Sequence, residues 1–92
     1  MASRRGFKKD LNYIYSDLLL DAFKTYSISE KKDEQKASAL CKKITDSFAE
    51  FIKRSNHTDG KDNPKIVKAY YKKLWEEVLK DVMSLSNEIE GL

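Results

Sequence analysis

The chain has 92 residues, of which 40% are apolar and 36% charged, with a net charge of +3. That is the size of one small domain spanning 1–92, which excludes a two-domain enzyme, a doubly wound sheet and a barrel. Three Gly and one Pro leave few turns, and the single Cys excludes an intrachain disulfide and a cysteine-rich metal cage.

The first residues run into Phe7 and two lysines rather than an apolar stretch, so no secretory leader is expected. No segment approaches the roughly 20 apolar residues of a membrane span. A cytoplasmic protein is the expectation. Three long segments then carry helical periodicity, and no period-2 alternation competes with them.

The first helix is predicted over about residues 7–26. At 100° per residue, Phe7, Leu11, Ile14, Tyr15, Leu18, Ala22 and Tyr26 share one stripe, and Leu19 and Phe23 widen it. Tyr13 and Leu20 fall nearly opposite. Asp10, Asp17, Asp21 and Lys24 form the polar band. So much apolar circumference predicts a helix that is the most buried of the bundle or that touches another chain.

The second helix is predicted over about 30–55. Ser27 and Glu30 have capping-box spacing, and Ser29 is an alternative cap. Ala37, Leu40, Cys41, Ile44, Phe48, Phe51 and Ile52 form one stripe, as for an outer helix with a single buried face.

Residues 56–63, Asn-His-Thr-Asp-Gly-Lys-Asp-Asn, read as a loop. The third helix is predicted over about 64–90, with Asn63 as N-cap, Pro64 at the first position and Gly91 as the stop. Val67, Tyr71, Leu74, Val78, Val82, Leu85 and Ile89 make its stripe. Trp75, Leu79 and Met83 extend it sideways. Such a helix spans about 40 Å, so the expected fold is all-α: an elongated, antiparallel, up-down-up three-helix bundle.

Helix 3 runs against the helix dipole, with Lys65, Lys68, Lys72 and Lys73 in its first half and Glu76, Glu77, Asp81, Glu88 and Glu90 in its second. An up-down-up order gathers Arg4, Arg5, Lys8, Lys9, Lys53, Arg54, Lys61, Lys65, Lys68 and Lys72 at one end. Two readings compete for this basic pole. One is an anion site for nucleic acid or an acidic protein, reinforced by free N–H groups at two helix N-termini. The other is an ordinary solvated surface, which the lack of a nucleic-acid motif favours.

Catalytic constellations are thin. His57, the only histidine, sits in a polar loop near Asp59 and Asp62 at spacings that match no calcium or zinc pattern. Cys41 falls on a buried stripe and reads as a small core residue rather than a nucleophile. Asp10, Asp17 and Asp21 lack the Glu-x-x-His companions of di-metal bundles. A metal-dependent site built on Asp17, Asp21 and His57 is the remote alternative. No enzymatic activity, cofactor, metal or small-molecule substrate is expected.

The run Lys8-Lys9-Asp10-Leu11-Asn12-Tyr13, opening an apolar helix, resembles the start of small uncharacterised all-α proteins from bacteria of the Bacteroidetes group. The likeness covers the N-terminal segment. It implies a helical bundle in a bacterial cytoplasm, and it brings no assigned activity and no catalytic residue to transfer.

The residues left over carry the functional expectation. Tyr13 and Leu20 on helix 1, and Leu79 and Met83 on helix 3, fall outside the main stripes, whereas helix 2 has no such surplus. An apolar strip on two helices predicts an interaction surface. The expected partner is a second copy of this chain, or another helical protein, docked on helices 1 and 3. The alternative is an anionic partner held by the basic pole.

Overall fold

Among the described residues three helices follow one another: α1 (Arg4–Ile28), α2 (Glu34–Ser55) and α3 (Pro64–Glu90). The computed structural model describes residues 4–56 and 63–92, with residues 4 and 5 described by their backbone alone. Among these residues there is no strand. The helices form a rod of 53 × 17 × 17 Å. Its radius of gyration of 15.3 Å exceeds the roughly 12 Å of a compact chain of this length. The long helices set the shape, because α3 alone measures about 40 Å.

Side-chain contacts establish the up-down-up order. Phe7 near the start of α1 meets Tyr71 and Trp75 near the start of α3. At the other end the Ser29 hydroxyl donates to the Leu92 carbonyl at 2.8 Å. α2 runs antiparallel to both: Lys36 at its start reaches Gly91, and Arg54 at its end reaches Glu77.

The core follows the three predicted stripes. α1 contributes Phe7, Leu11, Tyr15, Leu18 and Ala22, α2 contributes Leu40, Ile44 and Phe51, and α3 contributes Tyr71, Leu74, Val78, Leu85 and Ile89. α1 is therefore not the most buried helix, since α3 buries as many apolar residues. In a three-helix triangle each member hides one arc and leaves the opposite arc wet.

Helix ends show where local chemistry and tertiary geometry part. α1 is a few residues longer at each end than predicted. α2 starts at Glu34, not near residue 30, and its cap is Asp33, not Ser27 or Ser29. Asp33 is extended, and its carboxylate accepts the Lys36 N–H at 3.0 Å. The reversal between α1 and α2 needs several non-helical residues, so the last acceptor before the helix becomes the cap. The serines are used elsewhere: the Ser27 hydroxyl donates to the Phe23 carbonyl at 2.9 Å, and Ser29 ties down the C-terminus. α3 begins as predicted, with the Asn63 side chain accepting from the Lys65 and Ile66 N–H groups.

The reversed charge of α3 is answered across the bundle. The Lys36 ammonium donates to the Gly91 carbonyl at 2.8 Å, just past the C-terminus of α3. The Lys43 ammonium pairs with the Glu88 carboxylate at 2.8 Å. α2 thus supplies the cations that the end of α3 lacks, and antiparallel packing brings them within reach.

Candidate functional site

All four residues assigned to self-association face solvent: Tyr13 is 61% exposed, Leu20 55%, Leu79 45% and Met83 69%. The core closes without them. They form two strips rather than one. Tyr13 and Leu20 are seven residues apart on the line of α1 opposite the core. Asn12, Ser16, Leu19 and Phe23 border α2, which puts the acidic row Asp10, Asp17 and Asp21 on the flank of α1 toward α3. Leu79 and Met83 lie on α3, on the side of Trp75, whose ring meets Phe7 of α1 edge-on at 5.9 Å.

The sequence reading missed three other exposed apolar side chains: Phe23, Ile28 and Ile66. Phe23 was placed with the core of helix 1. Its stripe is wider than the arc that two neighbouring helices cover, so its edge emerges. Phe23 lines an apolar groove of about 260 Å³ between α1 and α2 with Ala22, Tyr26, Ala37 and Cys41. Cys41, expected in the core, is half-buried at that groove.

The basic pole is assembled, but with less than the sequence suggested. The ends of α1, α2 and α3 that carry it do meet. Lys9, Lys53, Lys65 and Lys68 are exposed and Lys8 is half-buried, and none of the five holds an ion pair among the described residues. The side chains of residues 4 and 5, and Lys61, lie outside the described residues. Arg54 is engaged: its guanidinium pairs with Glu77 at 2.6 Å and lies 5.5 Å from the Phe51 ring centre. Their hydrogen bond raises the Arg54 pKa and holds the Glu77 carboxyl below its ordinary value. The expected free N–H groups are also absent at α3. Pro64 has none, Lys65 and Ile66 donate to the Asn63 side chain, and Val67 donates to the Asn63 carbonyl. What remains for an anion at α3 is lysine charge, without a helix terminus behind it.

The same end holds a structural device that the sequence reading did not find. The last four carbonyls of a helix have no partner within it. In α2 each is supplied. Ile52 accepts from the Ser55 hydroxyl at 2.6 Å, and Lys53 accepts from the Asn56 N–H at 3.1 Å. The Tyr70 hydroxyl donates to Arg54 at 2.6 Å and the Tyr71 hydroxyl to Ser55 at 3.0 Å. The adjacent tyrosines of α3, whose rings meet edge-on, close the end of α2. Their adjacency was the one available signal, since neighbours on a helix point about 100° apart and only one can enter the core. Tyr71→Phe is expected to lower stability by about 1–2 kcal/mol and Tyr70→Phe by about 1 kcal/mol. Urea midpoints at unchanged slope would register both; wild-type midpoints would mean that water serves these carbonyls equally well.

Among the described residues no three of His, Cys, Asp and Glu converge as metal ligands. His57, Asp59 and Asp62 lie outside the described residues. Asp17 and Asp21 are exposed. Among the described residues Tyr15 is strongly perturbed: it is buried, and its hydroxyl donates to Asp81 at 2.7 Å. Burial first, and Asp81 second, push its pKa up. The hydrogen bond joins α1 to α3 at the edge of the core. No helix described is long and apolar enough to cross a membrane. The sequence matches no family model, and no curated protein or solved structure matches it.

Proposed function

We propose that this chain is a non-enzymatic helical interaction module that self-associates through the outer faces of α1 and α3, in a bacterial cytoplasm. One observation carries the reading: Tyr13, Leu20, Leu79 and Met83 stand exposed around a core that needs none of them. Exposed large apolar side chains are absent from α2, so the surplus belongs to two helices of the three. Grouped apolar exposure of this kind marks a contact surface.

The double variant Leu20→Glu/Met83→Glu tests it. Both positions are wet, so helix content and unfolding midpoint stay near wild type. The solution mass at high micromolar concentration drops from dimer to monomer. A wild-type chain that is monomeric at that concentration ends the proposal.

A second reading rests on the lysines at the basic pole that hold no ion pair among the described residues: an acidic protein or nucleic-acid backbone bound by Lys9, Lys53, Lys65 and Lys68. Salt separates the two. Counterion release makes nucleic-acid affinity fall by orders of magnitude as salt rises, whereas contact between apolar strips changes only a few-fold.

A further inference from the structure

One outward line of α3 is self-complementary. It runs Lys68, Lys72, Trp75, Leu79, Met83, Ser86, Glu90. At 100° per residue these seven positions fall within an arc of about 80°, beside the core stripe. Their spacing is symmetric. Counted from Leu79, the other six stand four, seven and eleven residues away on each side. Reversing the line therefore superposes every position on another member of it. Reversal also matches the chemistry: Leu79 falls on Leu79, Trp75 on Met83, Lys72 on Ser86 and Lys68 on Glu90. Basic residues occupy one end, apolar residues the centre, and a hydroxyl and a carboxylate the other end.

The bundle leaves this line open. Lys68, Lys72, Leu79, Met83 and Glu90 are exposed, and Trp75 and Ser86 are half-buried. α2 packs on the other flank of α3, where Arg54 meets Glu77 and Lys43 meets Glu88. Neither Lys68 nor Glu90 has an ion-pair partner among the described residues.

We propose that a second copy of this chain docks on α3 antiparallel about a two-fold axis at Leu79, so that Lys68 of each copy meets Glu90 of the other. The proposal rests on the self-association reading above and specifies its partner, its helix and its direction. A two-fold interface requires one patch to be complementary to itself, and this line meets that requirement in position and in charge. A parallel pairing would instead stack Lys68 on Lys68 and Glu90 on Glu90, and like charges repel. At the centre, each Trp75 indole faces a thioether of the other copy, a favourable sulfur–aromatic contact. The line is about 33 Å long and one helix wide, so the pairing belongs to the small, reversible class of interfaces.

Cross-linking of full-length chains, all carrying Cys41→Ser, tests the direction. Lys68→Cys and Glu90→Cys copies are prepared separately, mixed, and exposed to a mild oxidant that takes the two thiol hydrogens and their electrons. The mixture is expected to yield a disulfide-linked heterodimer. Each variant alone is expected to link far more slowly, because its two cysteines sit about 33 Å apart along the axis. Charge exchange gives a second readout. Lys68→Glu and Glu90→Lys each raise the dimer Kd roughly ten-fold, since each reversal counts twice in a two-fold dimer. The double variant returns Kd to near wild type. If the chain dimerises but each cysteine variant links to itself, or the double reversal fails to restore affinity, the α3 arrangement is wrong while self-association stands. A chain that stays monomeric throughout overturns both.

Discussion

Phe7→Ala is expected to lower the free energy of unfolding by about 3–5 kcal/mol. Domains of this length are worth roughly 5–14 kcal/mol in all, so the loss is a large share. Phe7 is fully buried although it sits near the start of α1. Its ring centre lies 5.4 Å from that of Tyr71 and 5.9 Å from that of Trp75. It therefore joins the first turns of α1 to the region of α3 that also closes α2. Truncation removes the ring and leaves a cavity that three long helices cannot collapse without losing register. Trp75 is the only tryptophan, so its fluorescence reports on the site. The native emission of the variant shifts to the red, and the denaturant midpoint falls with the slope unchanged. A loss under about 1 kcal/mol would mean that the beginning of α1 is not docked.

Tyr15→Phe has the next largest expected effect, about 1.5–3 kcal/mol, because the hydrogen bond it removes ends on a carboxylate. The Tyr15 ring is buried against Phe48 and Phe51, and its hydroxyl donates to Asp81 at 2.7 Å. Without that donor, half-buried Asp81 keeps its desolvation and loses its partner. The bond also has a signature in pH. Burial and Asp81 raise the Tyr15 pKa above the ordinary value of 10.0. The folded state therefore holds this proton more firmly than the unfolded state. The contribution is complete below pH 10.0 and is lost progressively as pH rises beyond it. Denaturation series at neutral and alkaline pH would show wild type losing stability faster than Tyr15→Phe. Equal slopes, or a neutral-pH difference under about 0.5 kcal/mol, would remove the bond from the account.

How much was legible can be followed residue by residue. The stripes Leu11–Leu18, Leu40–Ile44–Phe51 and Leu74–Val78–Leu85 were readable because burial repeats at the helical period. Asn63-Pro64 marked the start of α3 because capping is local chemistry. Tyr13, Leu20, Leu79 and Met83 were readable as outsiders to those stripes, and all four are exposed. The start of α2 was misread because Ser27, Ser29 and Asp33 are all competent caps. The geometry of the reversal selects among them. Phe23 and Cys41 were misread because periodicity gives the direction of a face but not its width. That width is set by where two neighbouring helices stop.

By itself the sequence determined three helices, their inward faces and their order along the chain, since each rests on contacts within a few turns. Only the tertiary structure decided which side chains meet across helices. Tyr15 on Asp81, Tyr70 and Tyr71 on the end of α2, and Arg54 drawn away to Glu77 all join residues at least sixteen positions apart. Such pairings depend on the rotation and stagger of one helix against another. No local pattern encodes those quantities, because they are set by packing three stripes at once.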